Sequence, residues 1–320
     1  MIHNIAIIGA GQLGSRYLQG VKLALLNYHI YVVDPNKNAL IQAKKRYKSF
    51  DGTESNELTC TTNMKNLPKN LTICIISTTS DIRKQVLFDL LQIVNVKYMV
   101  LEKVVFQKVE DFEQVKELFR NKNIKSWVNL PRRTFPVYKE IKKKIQNQIL
   151  NIKVSGNNWG LASNSIHMID IFVFLTEQNN YKFDINDLSN QKYVAKRKGF
   201  QELKGEFKVH SSRGDTLQLF DVNVLPKNNF RIIIKSNEEE TIVDETNRLV
   251  MVKSKNYMEN ISIPYQSEIT GFILDDIINT GSSDLVTFNE CMGYHVEMLN
   301  AFNKQFSIIN KKDIRICPIT

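Results

Sequence analysis

Residues 4–34 read NIAIIGAGQLGSRYLQGVKLALLNYHIYVVD, and this stretch decides the fold. Asn4 to Ile8 form an apolar run that ends in Gly9, as a buried strand does. Gly9-Ala10-Gly11-Gln12-Leu13-Gly14 follows, and then Ser15 to Val21 at helical spacing. A second apolar run, His29 to Val33, ends in Asp34, 20 residues after Gly14. Each glycine has a physical task. Gly9 permits the tight turn off the strand, Gly11 lets backbone approach a pyrophosphate, and Gly14 lets the helix pack closely on the sheet. The N–H groups of Gln12 and Leu13, at the positive end of the helix dipole, then face the phosphates. Asp34 stands where a carboxylate accepts the ribose hydroxyls and repels a 2′-phosphate. The expected cofactor is therefore NAD, with NADP disfavoured, although a basic residue, Lys37, stands nearby.

The alternation continues outward from this core. The spacing predicts helices over 39–47, 82–93 and 109–119, and strands over 71–76, 98–101 and 124–128. Strands alternating with helices specify a doubly wound parallel sheet of the Rossmann type, whose ligands sit at the carboxyl ends of the strands. That topology puts Ser77, Thr78, Thr79, Glu102 and Lys103 on the same rim as the glycine turn, with the first domain expected over 1–129.

From 130 to 320 the pattern changes. Helices are predicted over 135–149, 163–175 and 288–303. Short β-like segments are predicted at 152–154, 193–195, 207–209, 216–224, 230–234, 240–243, 249–252 and 314–316. Polar turns such as SSRGD and PKNN separate several of them. The expectation is an α+β domain with a largely antiparallel, open sheet.

Composition excludes several classes. With 42% hydrophobic and 24% charged residues the balance is that of a globular protein, and no run approaches the ~20 apolar residues that cross a bilayer. The N-terminus lacks the basic and apolar regions of a secretory signal, so a cytoplasmic location is expected. The four cysteines lack CxxC spacing and the five histidines form no HxxxH or HxH pair, so no metal site is expected. The net charge of +10 is the excess of 43 lysines and arginines over 33 acidic residues; the basic residues are spread along the chain, with only short clusters such as IKKK (141–144) and KRK (196–198). A solvated basic surface, or a field that steers an anionic small molecule, fits that spread better than nucleic-acid binding.

The ordered set GAGQLG, Glu102-Lys103, Arg132-Arg133-x-x-Pro136 and His167-x-x-Asp170 resembles the Gfo/Idh/MocA family, the glucose–fructose oxidoreductase and inositol dehydrogenase group of NAD(P)-dependent enzymes. The resemblance covers about the first 175 residues. It implies that Lys103 reaches between nicotinamide and the substrate hydroxyl, and that His167 completes proton transfer. It also implies a sugar-like substrate, mostly sugars, cyclitols or nucleotide-linked sugars, and a homo-oligomer formed through the C-terminal sheet. Two positions depart from the pattern: Val104 replaces the proline after the lysine, and Ser163 replaces the aspartate of an Asp-x-x-x-His segment. Arg83 stands near the place where the family often has a histidine.

Other readings stay open at single residues. His167 lies in SIHMIDIFVFL, where a buried, hydrogen-bonded histidine is the alternative. Asp170 orients that ring or completes a polar patch. Arg132 and Arg133 bind a carboxylate or phosphate, or are solvated. Trp159 is either core or a platform for a sugar ring. Hydride transfer at a carbon bearing a hydroxyl is the expected activity, with an acidic or nucleotide-linked sugar for a surface glycan as the finer expectation. An NAD-retaining epimerase, dehydratase or lyase, and a non-catalytic NAD(H) sensor, are the alternatives.

Overall fold

The computed structural model describes residues 2–221, 230–237 and 239–320. The chain forms two compact units: Met1–Phe106 with Glu110–Asn129 and Pro264–Glu290, and Gln107–Val109 with Leu130–Ile263 and Cys291–Thr320.

The first unit begins with β1 (Ile2–Ile8), α1 (Gln12–Val21), β2 (Asn27–Val33), α2 (Lys37–Lys48) and β3 (Glu57–Thr61). It continues with β4 (Asn70–Ile76), α3 (Ser80–Ile93), β5 (Asn95–Leu101), α4 (Val109–Asn121) and β6 (Lys125–Val128). The sheet order is β3-β2-β1-β4-β5-β6, and every pairing in it is parallel. The order reverses between β1 and β4, which opens the crevice where such sheets bind ligands. Ile5 pairs with Ile30 on one side and Ile73 on the other, and all three are buried, as a sheet covered on both faces requires.

The second unit contains α5 (Pro136–Lys144), β7 (Asn151–Gly156), α6 (Leu161–Thr176), β8 (Tyr181–Asp184), β9 (Tyr193–Val194) and β10 (Gln201–Glu202). Then come β11 (Gly205–Ser211), β12 (Thr216–Asp221), β13 (Arg231–Lys235), β14 (Glu240–Asp244), β15 (Leu249–Val252) and β16 (Tyr257–Asn260). Eight strands form a sheet in the order β16-β15-β14-β13-β7-β12-β11-β8, antiparallel except for β7 beside β12. β9 and β10 form a separate antiparallel pair. One face of the large sheet buries Ile152, Val154, Leu217, Leu219, Ile232 and Ile234. On the alternate positions Lys153, Ile233, Ile242, Met251 and Met258 pair in one cross-strand row, and Met258 is 64% exposed.

α7 (Gln266–Thr280) and α8 (Phe288–Asn310) complete the chain. The division expected at 129 and 130 is crossed here, because α7 packs with the first unit. Two glycines allow it: a Cβ on Gly271 would lie 2.7 Å from the Gly20 carbonyl, and a Cβ on Gly20 would lie 2.8 Å from Thr270 Cβ. Asp275 then accepts from the Leu25 N–H and the Tyr28 hydroxyl at 2.6 Å each, fixing the helix to the turn after α1 and to β2.

Several element bounds differ from expectation. α5 ends at Lys144 rather than 149, and Asn147 takes a positive φ of 62° that cannot continue a helix. No strand forms over 314–316; just beyond it the Cys317 N–H donates to the Gln107 carbonyl outside any ladder. The end of the 216–224 segment and the PKNN turn lie outside the described residues.

Candidate active site

Five strand ends of the first sheet stop at one level. Gly9 N–H donates to Val33, Ser77 N–H to Ile8, Glu102 N–H to Ile76 and Asn129 N–H to Leu101, all to carbonyl oxygens. Asp34, Gly9, Ser77, Glu102 and Asn129 are thereby aligned along one rim. Gly9 has φ 100°, a conformation that favours glycine, and a Cβ on Gly14 would lie 1.9 Å from the Gly9 carbonyl oxygen. Gly11 is different. It precedes α1 at φ −64°, and a Cβ there would meet nothing within 4 Å.

The rim fits a dinucleotide. No side chain caps α1 and no acidic residue lies in its first turn, so the helix start at Gln12 and Leu13 presents N–H groups and partial positive charge to an anion. Asp34 is held by its own loops: Oδ2 accepts from Ala10 N–H at 2.7 Å and Oδ1 from Asn36 N–H at 2.8 Å. An ionised carboxylate keeps further lone pairs on both oxygens, which suits a pair of ribose hydroxyls. Thr78 Oγ1 is buried without a protein partner, an acceptor and donor available to a ligand at the end of β4. Thr79 precedes α3 and makes no side-chain cap. Ser77 turns inward, its hydroxyl donating to the carbonyls of Gly9 and Ile8 at 2.8 and 3.1 Å.

Glu102 and Lys103 leave β5 in different environments. The Glu102 carboxylate is 3% exposed and accepts from the Tyr17 hydroxyl at 2.5 Å and from Asn129 Nδ2 at 2.6 Å. Burial, and then the Glu102 charge, pushes the Tyr17 phenol well above its ordinary range. Glu102 therefore ties the rim to α1, a use the sequence reading did not foresee. Lys103 is half-buried, and the peptide bond that joins it to Val104 is cis. The segment is held from below by Arg83, 1% exposed, whose guanidinium donates to the carbonyls of Glu102 at 2.6 Å and Val105 at 2.8 Å, and also to those of Val104 and Thr78. One buried cation thus fixes both the end of β4 and the lysine loop. Its sequence signal was weak: a single arginine in the first turn of a helix, next to a serine and an aspartate.

The second unit carries the other predicted residues. Arg133 pairs with Asp170 through Nη2 to Oδ1 at 2.7 Å and Nε to Oδ2 at 3.0 Å, and the Tyr294 hydroxyl donates to the same carboxylate at 2.6 Å. Arg132 makes a two-pronged pair with Glu245, to which Tyr138 also donates at 2.7 Å. Both guanidiniums and Asp170 are thus engaged with groups of the second unit itself. Trp159 is half-buried, with Nε1 donating to the Phe220 carbonyl at 2.7 Å and its ring tilted against Phe230. Ser163 lies in the first turn of α6 and His167 one turn later, half-buried.

Sequence reasoning missed Glu202. From β10 its Oε2 accepts from Ala162 N–H at 2.8 Å and Oε1 accepts the Ser163 hydroxyl. Among the described residues no cluster of three or more His, Cys, Asp or Glu is placed to hold a metal, and no helix is long and apolar enough to cross a membrane. Cys74 is buried in β4, which pushes its thiol up.

The parallel sheet and the open glycine turn define the first unit as a Rossmann domain. Residues 3–130 match the Gfo/Idh/MocA family model, an oxidoreductase family with an NAD-binding Rossmann fold, and the chain carries that family's NAD-binding domain. No curated protein matches the chain in sequence. Similar solved structures include UDP-N-acetylglucosamine 3-dehydrogenase from Acidithiobacillus ferrooxidans, with TM-score 0.71 and 11% identity over 98% of each chain. An oxidoreductase from Agrobacterium radiobacter in complex with NAD+, L-tartaric acid and magnesium has TM-score 0.66 and 14% identity over 92% of this chain and 94% of that one. A super-repressor mutant of Gal80p from Saccharomyces cerevisiae has TM-score 0.69 and 14% identity over 95% and 96%. At these identities the likeness is one of fold.

Proposed function

We propose that this protein oxidises or reduces a carbon bearing a hydroxyl or carbonyl group on a sugar-derived substrate, with NAD(H) as partner. The observation that carries the reading is the rim itself: an open glycine turn, an oriented Asp34 and a half-buried Lys103 at neighbouring strand ends. Bound NAD supplies a hydride acceptor or donor. The chain's own residues do the rest. Asp34, Gly11, Gln12, Leu13 and Thr78 bind the nucleotide, with Gly9, Gly14, Ser77, Thr79 and Glu102 shaping the rim. Lys103 hydrogen-bonds the reacting oxygen and stabilises its developing negative charge. His167 is the second proton-handling group, and Trp159 and Ser163 contact the sugar. Arg132, Arg133 and Asp170 act by holding the elements that carry those residues.

A nucleotide-linked sugar of a surface glycan, handled in the cytoplasm, is the substrate class we favour. The dehydrogenase from Acidithiobacillus ferrooxidans, similar in fold, is named for such a substrate, and a net charge of +10 draws anions. We also propose that a second copy packs on the sheet face bearing Ile233, Ile242, Met251 and Met258. The test is NAD-linked absorbance change with UDP-N-acetylglucosamine and related sugars. Lys103→Met should lower kcat about 100-fold or more while leaving NADH affinity intact. Unchanged turnover in that variant would remove Lys103 from the mechanism. Tightly retained NAD without turnover would favour transient oxidation instead.

A further inference from the structure

Glu202 does more than cap a helix. Its Oε2 accepts from the backbone N–H groups of Ala162 and Ser163 at 2.8 and 3.4 Å, which is all that capping α6 needs. The other oxygen takes the Ser163 hydroxyl. Gly160, at φ 81°, makes room for this contact: a Cβ there would lie 3.1 Å from Glu202 Oε1 and 3.0 Å from Ser163 Oγ. The loop that brings α6 to this point is itself fixed, with Asp221 accepting from Asn158 N–H at 2.7 Å and Gly160 N–H at 3.1 Å. His167 follows Ser163 by four residues, one turn along the same face of α6.

We propose that Glu202 is a positioning residue for His167, acting through Ser163. The carboxylate accepts the Ser163 hydroxyl, which fixes both groups at the turn of α6 that precedes His167. The charged form of the ring is favoured by the carboxylate so held. A residue from β10 thus supplies, through a hydroxyl, the negative charge that α6 lacks at position 163. Burial, and then Glu202, pushes the Cys317 thiol well up, so it stays neutral. Burial also raises the Glu202 carboxyl, against the bonds from Ser163, Ala162 and Leu203 that hold it down. The chemical role of this coupling rests on the proposed hydride transfer; the coupling itself does not.

The experiment is a pH titration of the His167 imidazole by nitrogen-15 NMR in histidine-labelled protein, with His167→Asn to assign the signal. Wild type, Glu202→Gln and the double variant Glu202→Gln/Ser163→Asp are compared, and Glu202→Asp serves if Glu202→Gln does not fold. We expect the His167 midpoint to fall by about one unit in Glu202→Gln and to recover in the double variant. In parallel, kcat with NAD and UDP-N-acetylglucosamine should fall at least tenfold in Glu202→Gln at unchanged KM, with recovery in the double variant. A midpoint that stays put would overturn the role of Glu202 and leave hydride transfer standing. A midpoint that falls in Glu202→Gln, with a wild-type protein that turns over no sugar substrate, would overturn hydride transfer and leave the Glu202–His167 coupling standing.

Discussion

The hydroxyl of Ser77 donates to the carbonyl oxygen of Gly9 at 2.8 Å, so the residue that ends β4 braces the glycine turn that ends β1. The two glycines beyond that brace differ in what they can tolerate. At Gly14 an added methyl would lie 1.9 Å from the Gly9 carbonyl oxygen and 2.8 Å from Ser77 Oγ. Gly14→Ala should therefore cost about 2–3 kcal/mol, read as a lower urea midpoint. At Gly11 the methyl meets nothing within 4 Å. Gly11→Ala should leave the urea midpoint in place and weaken NADH binding at least tenfold, because the methyl fills the space a pyrophosphate approaches. Equal NADH affinity in Gly11→Ala would mean that the turn does not hold the phosphates.

Arg83 offers a test of how the lysine loop is held. Replacing it with methionine leaves the carbonyls of Thr78, Glu102, Val104 and Val105 without the donor they share. Loss of about 4 kcal/mol of stability is expected, since each stranded buried acceptor costs ~1 kcal/mol or more. Lysine should not rescue it, because an ammonium lacks the planar fork that spans four acceptors. Chemical denaturation of the three proteins decides the matter.

The Arg132–Glu245 pair gives a pH dependence with a definite sign. Burial alone would raise the Glu245 carboxyl, but Arg132 and Tyr138 outweigh it and hold the group below its ordinary value. A depressed folded value means that the stabilisation is fully present above the unfolded value of about 4.3 and is lost as pH falls through the folded one. At pH 7, Glu245→Gln should be less stable than wild type by about 2 kcal/mol, because Arg132 loses its counter-charge. The gap should narrow steadily below about pH 4. A gap that is the same at pH 7 and pH 3 would show that the pair contributes nothing specific.

The sheet face of the second unit can be tested without activity. Ile242 sits in the row between Ile233 and Met251, half-buried in a face otherwise edged by Lys153 and Gln218. Ile242→Lys should convert a dimer to a monomer by light scattering while the melting curve stays cooperative. A wild-type protein that is monomeric at micromolar concentration would remove the proposed interface.

The parallel sheet was legible because its signals are local: an apolar run, glycines at fixed offsets and an acid at the next strand end. Ser163 and His167 were legible as a departure from a familiar pattern. The Glu202 contact to Ser163 was not, because Glu202 reaches α6 from a two-residue strand 39 positions later. Arg83 was noticed only as standing where a histidine is usual; its role escaped for the same reason, since a buried cation is read only from the carbonyls around it. α7 was missed although Glu268 in its first turn and Gly281 beyond its end are ordinary helix punctuation. Its place in the first unit depends on the Gly20–Gly271 contact between segments about 250 residues apart, which no local pattern encodes.

The most direct test of the account is titration of the purified protein with NADH and with NADPH by fluorescence, beside Asp34→Ala. The account predicts NADH binding at micromolar or lower concentration, weaker NADPH binding, and loss or reversal of that preference in the variant. If neither nucleotide binds at micromolar concentration, the reading of the glycine turn and Asp34 as a working cofactor site is contradicted.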